Sequence, residues 1–278
     1  MCGIAGTVYN KEILPGIDIK PENLKKIVTE IKNGTDNTAN LLDAVWKYKS
    51  NINFLRFVKD SKEKDDIDEV VLSINLLSEN IKNKIPNIDK GLSYDEYNDS
   101  VQDYQNLLDA SWFLSVEIYR WLEIIEYLSG KSASSLSDEV VILYKDITKV
   151  INAIDNRLEL RGRDSFGFSI TLNSINFNSD DKCNHDFRDN VESHHFYKIS
   201  DIGSHSFSFK SCNSIGALGE NASDIKYLIK SNLFFNSLIQ SGKVNSSTIM
   251  AHTRWASVGK VNIHNTHPVE YIDEKNNT

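Results

Sequence analysis

Basic residues, cysteine and long apolar runs are all scarce in this 278-residue chain. Lysine and arginine together number 31 against 39 aspartates and glutamates, a formal net charge of -8. That balance argues against nucleic acid or an anionic membrane as the main partner. No apolar stretch approaches the roughly 18 residues that a membrane helix needs. The N-terminus also lacks the basic-then-apolar order of a secretory signal, so the expected location is the cytoplasm. Cys2, Cys183 and Cys212 are too few for a disulfide framework and show no paired spacing, so free thiols are expected. With 40% hydrophobic and 25% charged residues, the composition is that of an ordinary globular chain.

What is present changes character along the chain. Residues 2–9 (CGIAGTVY) read as a short buried strand. After a loop, Pro21 suits a first helical turn. Leu24, Ile27, Val28 and Ile31 then recur at helical spacing until Gly34. The run Leu41, Val45, Tyr48, Ile52, Leu55 repeats that spacing, as does Ile67, Val70, Val71, Ile74, Leu77, Ile81. A longer apolar run from Tyr104 to Leu128 ends at Gly130. A serine-rich joint, Ser132-Ala133-Ser134-Ser135, precedes one more helical stripe from Val140 to Leu158. Beyond it, Phe166, Phe168 and Ile170 alternate as in a strand, and 171–193 reads as a polar loop. Short strands are expected near 194–200 and 205–210, a helix over 222–241, and a buried strand from Thr248 to His252.

Three glycine-bearing islands sit at the junctions: MCGIAG at the start, LELRGRDSFG over 158–167, and HTRWASVGKVNIHNTHP over 252–268. In that order they resemble the class II glutamine amidotransferases, whose glutaminase domain is an N-terminal nucleophile hydrolase. The HTRWA form of the third island is similar to the glucosamine-6-phosphate synthase branch, glutamine–fructose-6-phosphate aminotransferase. The amidophosphoribosyltransferase branch carries HVRYPT-type versions, and remains the second reading. A third reading is an inactive module acting through its helices. The resemblance covers 1–10 and about 137–278. It implies an α+β chain whose glutaminase part is a four-layered αββα sandwich.

The chemistry of Cys2 fits that resemblance. A thiol of pKa about 8.5 is mostly protonated at neutral pH and needs a base. Once Met1 is removed, the α-amine of Cys2 itself, with an ordinary pKa of about 7.7–8.0, lies within reach. One residue then supplies nucleophile and base, and attack on the glutamine side-chain amide gives a thioester and ammonia. The resemblance further implies that Arg254 holds the substrate α-carboxylate, an ion that a planar guanidinium grips with two hydrogen bonds. By the same resemblance Trp255 closes the loop, and Ser257 and Gly259 line the substrate. Val258 departs from the histidine usual in the family. Gly3 is expected to let substrate approach the backbone. Arg161, Gly162, Asp164 and Ser165 match the family turn that shapes the floor near the nucleophile.

No cofactor and no metal are implied. His252, His264 and His267 lie close in sequence, as do Cys183, His185, His194 and His195, but neither set has a zinc spacing. The implied partners are glutamine and, through an isomerase domain outside this chain, fructose 6-phosphate, in an enzyme that forms homo-oligomers. The family pattern continues to an Asn-Gly oxyanion hole and an Asp for the substrate amine. YIDEKNNT at 271–278 matches neither, so the expectation is a glutaminase domain incomplete at its C-terminal end. The domain reading is a first strand and loop over 1–20, a helical insertion over 21–130 and the rest of the glutaminase domain over 131–278. That insertion far exceeds ordinary loop lengths. Its repeated stripes imply several helices packed on each other.

Overall fold

A computed structural model describes residues 2–11, 16–83, 85, 94–174, 195–199, 204–213, 218–255 and 260–269. It is α+β, with an antiparallel sheet and helices. The polar stretch 175–194 lies outside the described residues. The chain divides into two compact units, Met1–Ile13 with Ile124–Thr278, and Leu14–Glu123.

The second unit is all helix among its described residues: α1 (Pro21–Lys32), α2 (Thr38–Lys47), α3 (Asn51–Lys59), α4 (Ser61–Lys82) and α5 (Tyr94–Trp112), then a π-helical turn over Phe113–Glu117. The chain leaves this unit within α6 (Ile118–Ser129). α4 buries most of the stripe that its periodicity marked, Ile67, Val70, Val71, Ile74 and Leu77, whereas in α3 the marked Ile52 is exposed and Phe54, Phe57 and Val58 are buried instead. Trp121 is ringed by Phe54 and Phe113 at 5.8 and 5.7 Å. The buried carboxylate of Glu63 accepts the Tyr48 hydroxyl and pairs with Arg56 Nε at 2.8 Å. Burial and that neighbouring carboxylate push the Tyr48 phenol upward. The run Leu41–Leu55 is two helices and not one. Asn53 explains the break: its Nδ2 donates to the carbonyls of Ile17 and Lys47, and its Oδ1 accepts from the Ile19 N–H. A chain segment over 30 residues away in sequence is thereby pinned at the interruption.

In the first unit, β1 (Gly3–Asn10), β2 (Ser165–Ser174), β3 (His195–Ile199), β4 (Ser204–Ser211) and β5 (Val244–Arg254) form one sheet in the order β1-β5-β2-β4-β3. All its pairings are antiparallel. One face carries Phe166, Phe168, Ile170, Leu172, Phe207, Phe209, Ile249 and Ala251, all buried. It packs on α7 (Asp138–Ala153), α8 (Glu220–Ser231) and α9 (Leu233–Gln240). Phe235 of α9 meets Phe207 and Phe209 edge-on at 4.9 and 5.4 Å. The helix expected over 222–241 is broken at Asn232, whose side chain accepts from the Phe235 N–H. Asn236 Nδ2 takes up the carbonyls of Ile229, Lys230 and Asn232 that the break would strand.

The opposite face corrects the expectation of fully buried terminal strands. On it Ile4, Val8 and Met250 are 74%, 72% and 54% exposed. Strand side chains alternate, so a strand covered on one side only buries every second residue. Residues 260–269 cross this face at Gly167, where an added Cβ would lie 1.6 Å from the His267 carbonyl oxygen. Among the described residues no second sheet lies on that face. None of the helices among the described residues is long and apolar enough to cross a membrane.

Candidate functional site

The three islands converge at one end of the sheet. In the β1–β5 ladder Gly3 pairs with Thr253, and in the β5–β2 ladder Ser165 pairs with Arg254. Cys2 precedes Gly3 and Arg254 follows Thr253. The two residues therefore lie one position past the last β1–β5 pair. Cys2 is exposed and unbridged. Arg254 is half-buried and Trp255 is 48% exposed. Ser257 and Gly259 lie outside the described residues.

Thr253, fully buried, ties the islands together. Its Oγ1 accepts the Gly3 N–H at 3.1 Å and donates to the Leu158 carbonyl at 3.4 Å. Leu158 closes a π-helical turn, Ile154–Leu158, that continues α7 and leads into a 3-10 turn over Glu159–Arg161. A Cβ at position 3 would lie 2.7 Å from Leu158 Cβ and 2.9 Å from Thr253 Oγ1. The missing side chain of Gly3 is thus packing space taken by Leu158 and Thr253. The same threonine lies 2.9 Å from where a Cβ on Gly162 would be. The family resemblance points to Arg254 and Trp255 but not to their neighbour Thr253. Its signal was available: a hydroxyl residue inside an island, at a buried strand position.

The turn after Leu158 is held from two sides. On one, the Asp164 N–H donates to the Arg254 carbonyl at 3.1 Å. On the other, Asn221 at the start of α8 donates to the Arg163 carbonyl at 2.9 Å. Glu159 accepts the Gly219 N–H at 2.6 Å. Burial raises the Glu159 carboxyl above the usual carboxylate range, partly opposed by that hydrogen bond. Ser165 is buried at the first position of β2. Gly162, Asp164 and Ser165 thus all meet the Thr253–Arg254 end of β5.

Arg254 lies in register with the uncovered face of the sheet, alongside Ile4, His252 and Gly167. Its Nη1 donates to the Asn265 carbonyl at 2.9 Å. His252 and His267 stack edge-on at 4.7 Å beside it. Burial, with the neighbouring His267 and Arg254, lowers the His252 pKa. Its Nδ1 is buried without a hydrogen-bond partner among the described residues. Among the described residues no three His, Cys, Asp or Glu side chains converge as metal ligands do. Cys183, His185 and His194 lie outside the described residues.

The Thr253 bridge has a measurable consequence. Thr253→Val removes the acceptor of a buried N–H and should cost about 1–3 kcal/mol. Denaturant unfolding of the full chain checks this, and an unchanged midpoint would show that the Gly3 N–H finds another partner. Comparison of the chain with protein-family models, with curated proteins and with solved structures returned no match.

Proposed function

We propose that this chain is a glutaminase of the N-terminal nucleophile type, releasing ammonia from glutamine through a thioester on Cys2. The observation that supports the reading is the β1–β5 register, whose last pair, Gly3 with Thr253, leaves an exposed cysteine and an arginine each one residue beyond it, at the end where all three islands meet. In this reading Met1 is removed and the α-amine of Cys2 takes the thiol proton. The thiolate adds to the amide carbon. The proton passes to the departing nitrogen, and ammonia leaves behind a γ-glutamyl thioester. Water then adds to the thioester carbon, glutamate departs, and the sulfur regains a proton by way of the same amine. Arg254 holds the substrate α-carboxylate, and the floor made by Gly162, Asp164 and Ser165 keeps the two strand ends in place. The αββα sandwich that such a domain requires would have this sheet, with helices on one face, as one of its two halves.

The HTRWA form of the third island supports fructose 6-phosphate as the ammonia acceptor and glucosamine 6-phosphate as the product.

A glutamine-like diazoketone tests the first half of the proposal. Mass spectrometry of the treated chain should find one adduct, on the N-terminal peptide beginning at Cys2. Labelling at Cys183 or Cys212 with Cys2 untouched would overturn it. Arg254→Lys keeps the charge but loses the two-pronged contact. A lost charge-assisted hydrogen bond of about 1.5–3 kcal/mol weakens glutamine protection against the reagent by roughly 10- to 150-fold. Protection at the parent glutamine concentration would remove Arg254 from the site.

A further inference from the structure

We propose that the outer surface of α4 and α5 docks a basic amphipathic helix of another protein. The two helices lie side by side, with Ser111 Oγ donating to Asn75 Oδ1 at 2.6 Å across the seam. Further along, Tyr119 donates to Asp68, so rising numbers on one partner meet falling numbers on the other and the pair is antiparallel. Helical geometry of 100° per residue then assigns the faces. On α4, Ile67, Val71, Ile74 and Ser78 turn to the core side of Asn75, and on α5 so do Leu107 and Ala110 relative to Ser111. Leu72 and Leu76 fall on the other side of Asn75, as Leu108 and Trp112 fall on the other side of Ser111. In an antiparallel pair those flanks share one surface.

That surface is apolar and exposed. Leu72 and Leu76 are 64% and 65% exposed, and Leu108 and Trp112 are 38% and 39%. Large apolar side chains gathered along a seam mark an interaction site more often than scattered ones do. A groove between two helices accepts a third helix through anchors spaced i, i+3 or i+4, and i+7.

Charge selects the occupant. The two helices carry eleven carboxylates against three lysines, and α5 has no basic residue at all. Glu69 and Glu79 on the flanks of the seam each touch one lysine, Lys25 and Lys82, yet remain mostly exposed. A second copy of this chain would bring the same acidic surface against itself, and juxtaposed like charges are penalised. A helix with leucine-like anchors and flanking lysine or arginine meets both demands.

The full chain is titrated with three 18-residue peptides: a helical design with leucines at i, i+3, i+4 and i+7 and lysines elsewhere, its glutamate counterpart, and a scrambled lysine peptide of the first one's composition. The first should bind. The other two should bind at least about tenfold more weakly, a difference of roughly 1.4 kcal/mol. Leu72→Asn with Leu108→Asn should weaken the first peptide by about the same factor. If circular dichroism finds that variant misfolded, Glu69→Lys with Glu79→Lys gives the same readout with the same expected loss. Absence of binding, equal binding by the scrambled or glutamate peptide, or equal binding by the folded variant would overturn the proposal. Concentration-dependent dimers of the unliganded chain that vanish in the leucine variant would assign the face to self-association instead.

Discussion

Under the proposed function, Cys2→Ala should abolish glutamine hydrolysis and diazoketone labelling while leaving the fold intact, the largest effect expected of any single substitution here. In the proposed reaction the thiol is the group that would form the covalent intermediate. In comparable covalent hydrolases, removing the nucleophile costs on the order of 10⁶ in kcat. The side chain is exposed, precedes the first ladder pair and makes no disulfide, so its loss takes little from the core. The measurements are glutamate release and thermal unfolding of parent and variant side by side. Hydrolysis persisting at the parent rate would sink the covalent reading. A folded but silent variant, together with a silent Cys2→Ser, would separate the nucleophile from mere packing at the strand end.

Gly167→Ala should be the most disruptive of the conservative changes. An added Cβ would lie 1.6 Å from the His267 carbonyl oxygen and 2.7 Å from its carbonyl carbon, both backbone atoms that no rotamer change can move. Residues 260–269 must lift from the sheet to admit one methyl group. Overpacking of this kind typically costs about 1–3 kcal/mol, occasionally more. Two contacts go with the segment: the Asn265 carbonyl that accepts from Arg254, and the His267 ring that meets His252. Arg254 would lose a positioning partner without being touched. The variant should therefore be less stable in urea and should also need more glutamine for protection against the diazoketone. Loss of stability with unchanged glutamine protection would mean that residues 260–269 do not hold Arg254 in place.

The helical unit was readable because helical order is local. In α4 the residues Ile67, Val70, Ile74 and Leu77 are neighbours on one side of the helix whatever surrounds it, so their spacing alone marks the buried stripe. The ends were less legible. Whether a helix continues past Tyr48 or past Asn232 depends on a side chain that reaches a distant or newly stranded backbone group, as Asn53 does for Ile19 and Asn236 does for Ile229. The strands were readable as strands, but not their exposure. CGIAGTVY is apolar or small at both parities, so nothing local says which of Ile4 and Ala5 faces water. That was decided by α7, which packs against β1 on the side of Gly3, Ala5 and Tyr9.

For the candidate site the division is similar. The sequence by itself determined that three islands exist, that each carries glycine and a reactive or charged residue, and that a thiol follows the initiator. It could not determine that they meet. Gly3 and Thr253 are 250 positions apart and Leu158 lies between them, so no periodicity links the three. Only the tertiary structure decided that Thr253 would bridge Gly3 to Leu158, that Gly162 would pass against the same threonine, and that Cys2 and Arg254 would share one end of the sheet. The reason is physical. Strand register is set by which face can be buried and by pairings that close very long loops, and a shift of one residue would turn every side chain to the opposite face.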